Sequence, residues 1–584
     1  MATMPTTETP VLLKLAIERF RGIEALNWHP DPGVNVIIGG GNVGKSTILD
    51  AIGLLLSPTN STIVTDTDYW RRAPETEFLI EAVMRLPPGT GINDQRKSAW
   101  PWHWDGQEAQ LPDMEAEAGA DQDPVYVVRV RGTADCDLVY EIRQPSGEID
   151  HFPVGVRRSI GLVRLAGDDR NDRDLRLIQG SALDRLLADR TLRAKLAREL
   201  GEENVDDHLA EAAKAKLTAL DGLFGEQALP VGLGLGLVGG QGFSLNALIG
   251  LTARKDSYRL PLSSWGSGTR RLAALEIAAA NHSQHPVTIV DEIERGLEPY
   301  RQRILVQQLT GEQSQTFMTT HSGTALSAAA AASIWYLGAD RTIGPLAGAA
   351  IRHLERDPEA FLSRLTVVAE GVTEVGFCGY LLQRAFGTKL WEHGIWIANA
   401  GGNNTALGLF ESLLAGRLRF AGFVDDEGEA PQRWQKVKDA LGDRLLRWPA
   451  GCLEANVIAH VDPADLEEFI KDRDGDSGRR LRTLADRLGL ADKSLAAISA
   501  ATGDLRALII EAASGSAPEN MGSDERKIWQ SHGKAWFKSK AGGVELAEKM
   551  FGFGVWVKLE PQLLGFINAV RAAVDLPALE QLPE

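Results

Sequence analysis

The segment GGGNVGKS, Gly39 to Ser46, constrains the fold of this chain more than any other feature. It matches the pattern G-x-x-x-x-G-K-[ST] and lies between an apolar strand and a segment with the spacing of a buried helix. A glycine-rich loop at such a junction turns its backbone N–H groups towards phosphate oxygens. We therefore predict an α/β nucleotide-binding domain in which Lys45 reaches the β- and γ-phosphates of ATP and Ser46 binds Mg²⁺.

Three later segments carry residues that are expected at the same nucleotide. Asp291 and Glu292 end an apolar strand, where an acid holds Mg²⁺ through water and a second acid polarises the attacking water. His321 ends another strand near the γ-phosphate position, and a Gly-Ser-Gly turn opens a helix whose N–H groups suit a phosphate. The predicted nucleotide-binding residues are Gly39, Asn42, Gly44, Lys45, Ser46, Thr47, Asp291, His321, Gly266, Ser267 and Gly268, with Glu292 as the catalytic base.

A second group of acids follows apolar strands in the last third of the chain. Glu370 and Glu374 are four residues apart where a strand meets a helix, and Asp425 and Glu427 follow the next such strand but one. Glu454 lies at a later strand-to-helix junction. Carboxylates at the C-terminal ends of parallel strands converge on one edge of the sheet, and hard oxygen ligands favour Mg²⁺ or Mn²⁺. We predict that all five bind metal, although a solvated acidic face is the alternative for the first pair.

The segment Arg526 to Lys540 has five basic residues and no acid in a chain of net charge −17. Trp529 and Trp536 lie among these basic residues, which is typical of a local phosphate-binding surface. DNA is therefore the expected partner, with contacts from Lys534, Lys538 and Lys540. A solvated basic helix is the alternative interpretation.

The nucleotide motifs resemble those of ABC-type ATPase heads of the SMC and RecF kind. In such heads the glycine turn of one protomer closes over the nucleotide of another, which implies a dimer. Two features depart from that pattern: the turn reads WGSGT, and no clear glutamine loop follows the first helix, where Asp66 or Asp68 is the substitute. The later acids, together with the glycine-rich turn in Ala398 to Leu407, resemble a Toprim domain, although the usual Asp-x-Asp pair is Asp425-x-Glu427 here.

An ABC-type ATPase followed by a Toprim domain resembles the OLD (overcoming lysogenisation defect) family of nucleases, which includes the Gabija-type defence nuclease. The resemblance implies an ATP-dependent DNA endonuclease with two metal ions at the Toprim site, a homodimer or homotetramer formed through the ATPase domain, and a role in antiviral defence, with an accessory protein as a possible partner. It also implies a catalytic lysine, for which we select Lys538, with Lys534 as the second choice. An ATP-driven DNA clamp or sensor without nuclease activity is the alternative function.

Length and composition set the expected organisation. The 584 residues predict an ATPase domain over 1–355, with a helical dimerisation insertion at about 165–230, and a Toprim domain over 356–584. Three scattered cysteines exclude a disulfide framework or a cysteine-based zinc module, and all seven tyrosines lie at or before Tyr380, which argues against a topoisomerase. No export signal is apparent, and the uncharged segment Gln227 to Ala253 reads as strands and not as a membrane span. We expect a cytoplasmic protein.

Overall fold

Contacts divide the chain into two compact units, Met1–Pro345 and Leu346–Glu584. Each unit is built around its own hydrophobic core. The protein is described by a computed structural model that covers residues 9–60, 62–92, 99–112, 123–165, 174–178, 181–187, 205–237, 249–280, 286–311, 313–338, 340–449, 451–518 and 521–582.

The N-terminal unit combines a parallel sheet with a larger antiparallel sheet. Its strands within these residues are β1 (Val11–Phe20), β2 (Ile23–Trp28), β3 (Val34–Ile38), β4 (Phe78–Arg85), β5 (Trp102–Trp104), β6 (Ala109–Gln110), β7 (Pro124–Gly132), β8 (Leu138–Arg143), β9 (Ile149–His151), β10 (Leu162–Leu165), β11 (Gly234–Leu237), β12 (Ile249–Lys255), β13 (Tyr258–Pro261), β14 (Val287–Val290), β15 (Thr316–Thr319), β16 (Ser333–Leu337) and β17 (Ile343–Pro345). Its α-helices are Lys45–Leu55, Val154–Ile160, Ala182–Leu187, Glu211–Glu226, Ser267–Ala280, Pro299–Gly311 and Gly323–Ala328.

The six-stranded sheet has the order β10-β14-β15-β3-β16-β17, and all its neighbours are parallel except the β16–β17 pair. The central strand β3 is buried along its whole length, as its continuous apolar sequence predicts. Helix Lys45–Leu55 follows β3 and buries the apolar side chains that recur at helical spacing, including Ile48 and Ile52. This strand–loop–helix unit places the glycine-rich loop at the C-terminal edge of a parallel sheet, where α/β sites lie.

The C-terminal unit contains a four-stranded, fully parallel sheet. Its strands are β18 (Leu365–Ala369), β19 (Ile395–Asn399), β20 (Phe420–Val424) and β21 (Leu445–Arg447). The order β19-β18-β20-β21 puts the first strand inside the sheet, so the chain leaves it in both directions and creates a switch point beside β18. The α-helices of this unit are Ala349–Arg356, Glu359–Leu362, Val372–Phe386, Asn403–Ala415, Pro431–Leu441, Leu453–Ile458, Leu466–Ile470, Gly478–Leu488, Leu495–Ala501, Leu505–Ser514, Ser523–His532, Lys540–Gly552 and Trp556–Ala573.

Two helices of this unit cross at glycines. A Cβ atom added to Gly376 would lie 2.0 Å from the backbone oxygen of Lys540, and one added to Gly543 would lie 2.0 Å from that of Thr373. Helices Val372–Phe386 and Lys540–Gly552 therefore approach closely enough for backbone to touch backbone. Only glycine permits this separation at the two positions.

Three sequence expectations need correction or lie partly outside the described residues. The alanine-rich sequence predicts a helix over Ala325 to Ser333, but the helix ends at Ala328 and β16 begins at Ser333. Of the predicted dimerisation segment, residues 166–173, 179–180 and 188–204 lie outside the described parts of the chain. The uncharged segment forms β11 and β12 at its ends, with 238–248 outside the description. No helix among the described residues is long and apolar enough to cross a membrane.

Candidate functional site

The glycine-rich loop of the N-terminal unit folds around the ammonium group of Lys45. Lys45 Nζ donates hydrogen bonds to the backbone oxygens of Gly39 at 3.0 Å and Gly40 at 2.7 Å. Burial lowers the pKa of Lys45, although Asp291 and two neighbouring acids oppose the shift. The ammonium group thus occupies the centre of the loop, where it would meet a phosphate once it exchanged these carbonyl contacts.

The predicted magnesium residues meet across the parallel sheet. Ser46 Oγ donates to Asp291 Oδ1 at 3.1 Å, and Thr319 Oγ1 donates to the same oxygen at 2.6 Å. Thr319 ends β15, the strand between β14 and β3, so strand order alone brings it to this position. Sequence reasoning missed Thr319; its place directly before Thr320 and His321 at a strand end was the available signal.

Five of the six predicted loop residues line one cavity of about 390 Å³ together with Glu292 and His321, whereas Gly39 and Asp291 do not line it. Glu292 adopts a left-handed backbone conformation with φ 50°, and its N–H donates to Thr319 Oγ1 at 2.8 Å. The residues that line the cavity are Gly41, Asn42, Val43, Gly44, Lys45, Ser46, Thr47, Glu292, Thr319 and His321. The loop N–H groups and the Lys45 ammonium group suit the phosphates of a nucleotide. Glu292 suits the water that attacks the γ-phosphate.

Two arginines that the sequence analysis did not select support this cavity. Arg271 is buried and its Nη1 donates to the backbone oxygen of Arg295 at 3.2 Å, while Nη2 donates to that of Asp291. Burial lowers the pKa of Arg271 to about 10. Arg341, on the turn between β16 and β17, donates from Nη1 to the backbone oxygen of Asn42 at 3.0 Å. Both side chains brace backbone that carries predicted nucleotide residues.

The Gly-Ser-Gly turn does not line the cavity. Gly266 precedes helix Ser267–Ala280, and a Cβ atom on Gly268 would lie 2.1 Å from the backbone oxygen of Gly296. The turn thus packs on the segment that follows the acidic motif. Contact of Gly266, Ser267 and Gly268 with a nucleotide stays a prediction that requires a second protomer.

The candidate glutamine-loop substitutes are engaged elsewhere. Arg21 Nε donates to Asp68 Oδ1 at 2.9 Å, and Arg72 Nη2 donates to Asp66 Oδ2 at 2.6 Å. Neither acid is among the residues that line the nucleotide cavity. Their substitution for a glutamine loop therefore has no geometric support here.

In the C-terminal unit, four of the five predicted metal ligands are buried together at the C-terminal edge of the parallel sheet. Glu370 follows β18, Glu374 lies in the first turn of the next helix, Asp425 follows β20, and Glu454 lies in the first turn of helix Leu453–Ile458. Their exposed fractions are 8, 5, 5 and 0%. The adjacency of β18 and β20 explains why acids far apart in sequence share one location.

Hydrogen bonds tie these acids to the ends of the strands. Glu370 Oε2 accepts from the backbone N–H of Asp425 at 2.9 Å and from Asn403 Nδ2 at 2.8 Å. Asp425 Oδ1 accepts from the N–H of Leu453 at 3.0 Å, which connects β20 to the helix that carries Glu454. Both Glu454 oxygens are buried; Oε1 is paired with Lys538, and Oε2 has no hydrogen-bond partner among the described residues.

Burial and the closeness of the carboxyl groups to one another raise the pKa values of three of these acids. Burial, followed by repulsion from Glu374 and Glu370, raises the pKa of Asp425 to about 9. Burial and repulsion from Glu454 raise the pKa of Glu374 to about 7, and burial raises that of Glu370. Burial and repulsion of this kind favour the protonated form of a carboxyl group unless a cation compensates its charge.

Lys538 is the basic residue that reaches this cluster. Its Nζ lies 2.9 Å from Glu454 Oε1 in an ion pair. Burial lowers the pKa of Lys538, but the contact with Glu454 outweighs burial and the pKa is raised overall. The glycine crossing described above positions it, because Thr373 Oγ1 donates to the backbone oxygen of Phe537 at 3.1 Å, one residue before the lysine.

The remaining predicted residues of this region lie outside the buried cluster. Glu427 is exposed, although its charge contributes to the raised pKa of Glu370. Lys534 and Lys540 are exposed and stay predictions as DNA contacts. Trp536 is buried and donates from Nε1 to Thr483 Oγ1 at 3.0 Å, so its ring is not available to a nucleic acid.

Trp529 also has a structural partner. It is half-buried, and the guanidinium of Arg487 lies 4.5 Å from its ring centroid. The two tryptophans thus stabilise the helical part of the unit. The predicted DNA contacts of this segment are therefore those of its lysines.

The donor set suits a hard divalent cation. Four buried carboxylates, once ionised, carry more negative charge than one lysine offsets, and Oε2 of Glu454 has no hydrogen-bond partner among the described residues. Among the described residues, no three His, Cys, Asp or Glu side chains are already arranged around a common ligating point. Glu454 faces Lys538 and Glu370 faces Asn403, so ligation requires these acids to exchange partners.

Comparison with known proteins adds to the description of the N-terminal unit. Residues 148–328 match the family described as AAA domain, putative AbiEii toxin, Type IV TA system. This range contains the Gly-Ser-Gly turn, Asp291, Glu292 and His321. The mixed α/β N-terminal unit thus contains a segment that is similar to an AAA domain family, and the glycine-rich loop Gly39 to Ser46 lies outside the matched range. A sequence comparison with curated proteins finds no match.

Solved structures similar to the chain include SMC head domains and the recombination mediator protein RecF. An SMC head domain with an extended coiled coil, bound to the C-terminal domain of ScpA and derived from Pyrococcus furiosus, is 13% identical with a TM-score of 0.35; the alignment covers 58% of this chain and 97% of that chain. The recombination mediator protein RecF with ATP is 14% identical with a TM-score of 0.35, over 59% of this chain and 100% of that chain. The SMC head domain from Thermotoga maritima is 14% identical with a TM-score of 0.27, over 58% of this chain and 100% of that chain.

Proposed function

We propose that this protein is an ATP-dependent, divalent-metal-dependent DNA endonuclease of the OLD family, with an ABC-type ATPase domain and a C-terminal Toprim domain. The observation that supports it best is the buried group of Glu370, Glu374, Asp425 and Glu454 beside Lys538, at the switch point of a parallel sheet. A purely structural core has little use for four buried carboxylates, because each raises the cost of folding unless it is compensated.

The residues divide into two roles in this proposal. The carboxylates hold Mg²⁺ or Mn²⁺ at the scissile phosphate, and the bound ions supply an activated water and charge stabilisation for the leaving oxygen. Lys538 adds a positive charge that offsets the charge of the pentavalent phosphate. Lys534 and Lys540, both exposed in the adjacent segments, hold the DNA backbone.

The ATPase domain supplies binding and hydrolysis of ATP in the same proposal. Lys45 and the loop N–H groups hold the phosphates, Ser46 and Asp291 hold Mg²⁺, and Glu292 polarises the attacking water. A homodimer or homotetramer formed through this domain would bring the Gly-Ser-Gly turn of one protomer to the nucleotide of another. Anti-phage defence is the biological role that the family resemblance implies.

Nicking of supercoiled plasmid DNA tests the nuclease. We expect cleavage with Mg²⁺ or Mn²⁺ by the wild-type protein and at least about 100-fold less by Glu370→Ala and by Asp425→Ala, because each variant removes a metal ligand. Glu467→Ala, which removes an exposed acid of the same unit, is the matched control. Unchanged cleavage by both site variants would show that the nuclease site lies elsewhere. The same assay with and without ATP gives the sign of the coupling.

The alternative is an ATP-driven DNA clamp or sensor whose carboxylates have a structural role. The pairing of Glu454 with Lys538 favours it, because this ion pair already compensates part of the buried charge without a metal. ATP-dependent DNA binding together with no cleavage under any divalent metal would support this second function.

A further inference from the structure

Asn403 connects the ends of the two strands that carry the candidate metal ligands. Its Nδ2 donates to Glu370 Oε2 at 2.8 Å and to the backbone oxygen of Asp425 at 3.0 Å. The side chain is buried, with 4% of the residue exposed. The amide therefore joins β18 to β20 without adding another charge to a crowded acidic site.

The orientation of this amide is determined by Trp434. Trp434 Nε1 donates to Asn403 Oδ1 at 3.2 Å, and the tryptophan is 1% exposed. An indole N–H is only a donor, so the amide atom that faces it is the oxygen and the NH₂ group faces Glu370. Trp434 itself is held in the core by an edge contact with Phe410, with ring centroids 5.7 Å apart.

The turn before Asn403 also forms hydrogen bonds with the main chain of Glu370. The backbone N–H groups of Gly401 and Gly402 donate to the backbone oxygen of Glu370 at 3.0 and 2.8 Å. Both glycines have positive φ, 84° and 126°, which a residue with a side chain adopts at a cost. Asn403 then begins the following helix, so one turn holds both the main chain and the side chain of Glu370.

We propose that Asn403 is a positioning residue for the metal site. Asn403 Nδ2 and the N–H of Asp425 both donate to Oε2 of Glu370. The other oxygen, Oε1, is thereby left for the cation. A neutral donor on a ligating carboxylate fixes its direction while its charge stays available to the metal. The inference deepens the proposed function, because it names the group that orients the first ligand of the same site.

Mn²⁺ binding to the full-length protein without nucleotide, measured from the electron paramagnetic resonance signal of free Mn²⁺, tests this role. We expect Asn403→Ala to bind Mn²⁺ about 10- to 100-fold more weakly than the wild type. Trp434→Phe, which keeps the ring and removes the N–H, should give a smaller loss in the same direction. Asn404→Ala is the matched control, because Asn404 is the exposed neighbour and its Nδ2 donates to Glu429 Oε2 at 2.9 Å.

The outcomes separate this inference from the proposed nuclease. Weaker Mn²⁺ binding by Asn403→Ala supports the inference even if the wild-type protein cuts no DNA, a result that would overturn the nuclease alone. Unchanged affinity in folded Asn403→Ala overturns the inference even if cleavage is observed. If that variant does not fold, unchanged affinity in Trp434→Phe overturns it instead. A wild-type protein that binds no Mn²⁺ overturns both.

Discussion

The Nζ atom of Lys538 lies 2.9 Å from Oε1 of Glu454, a carboxylate with no exposed surface. The contact joins the start of a short helix after the parallel sheet to a loop between two later helices. In the metal-free protein it compensates one buried charge. In the proposed reaction the same ammonium group lies beside the ions and can turn towards the phosphate.

Removal of this lysine should affect cleavage and metal-free stability differently. We expect Lys538→Ala to lower the rate of DNA cleavage by about 100- to 1,000-fold, the usual effect of losing a group that stabilises transition-state charge. It should also destabilise the metal-free protein, because Glu454 is left buried without a partner. Plasmid nicking and thermal unfolding in EDTA measure the two effects. Lys436→Ala, an exposed lysine of the same unit, is the control.

Comparison with Lys534 identifies the catalytic lysine. Lys534 is exposed, and Lys534→Ala should weaken DNA binding at elevated salt more than it lowers the rate at saturating DNA. A larger rate loss in Lys534→Ala than in Lys538→Ala would assign the catalytic role to Lys534.

The raised pKa values predict a pH-dependent stability of the metal-free protein. Asp425 titrates at about 9 and Glu374 at about 7 in the folded state, so above the ordinary carboxyl range the folded protein holds protons that the unfolded chain has released. The free energy of unfolding therefore falls as pH rises from about 4 towards about 9, because the folded site must release these protons. Lys538 stays charged over this window, because its pKa is raised.

Chemical denaturation in EDTA at several pH values, with wild type and Asp425→Asn, measures this effect. The amide cannot titrate, so the variant should lose less stability than the wild type between about pH 6 and about pH 8. Saturating Mg²⁺ should reduce the difference in slope, since the cation favours the ionised form. Identical pH slopes in EDTA would contradict the raised pKa of Asp425.

The glycine crossing offers a test of how Lys538 is positioned. Gly376→Ala places a methyl group 2.0 Å from the backbone oxygen of Lys540, so the two helices must separate. We expect a loss of about 1–3 kcal/mol in the free energy of unfolding, together with reduced cleavage.

Gly379→Ala is the matched control in the same helix. Its methyl group would lie 3.5 Å from Ile397 Cδ1, an ordinary contact, and alanine favours the helix by about 0.5–1 kcal/mol. Thermal unfolding and nicking of both variants provide the measurement. Equal stability of the two variants would show that the crossing adapts without cost.

The nucleotide site predicts two separable defects. Lys45→Ala should abolish ATP hydrolysis and weaken ATP binding, because it removes the cation at the centre of the loop. Glu292→Gln should retain binding and lower hydrolysis by at least about 100-fold, since the amide cannot polarise the attacking water. Nucleotide binding by fluorescence and phosphate release measure the two steps. Undiminished turnover in Lys45→Ala would refute the site.

Local patterns carried much of the prediction. The sequence was sufficient to predict the glycine-rich loop, the strands Val287–Val290 and Phe420–Val424, and the acids after them. Strand and helix periodicity can be recognised from a few consecutive residues. The convergence of Glu370, Glu374, Asp425 and Glu454 followed from the rule that parallel strands present their C-terminal ends at one edge, whereas their burial did not.

Contacts between distant segments were decided by the tertiary structure. The sequence alone determined the residue types, the periodic elements and the acids available for a metal, because these depend on local chemistry. The ion pair of Lys538 with Glu454, the burial of Trp536 and the bridge from Asn403 to Glu370 depend on which helices pack together. Packing of this kind arises from complementary shapes of residues far apart in the chain, such as Gly376 against Lys540, and no local pattern encodes it.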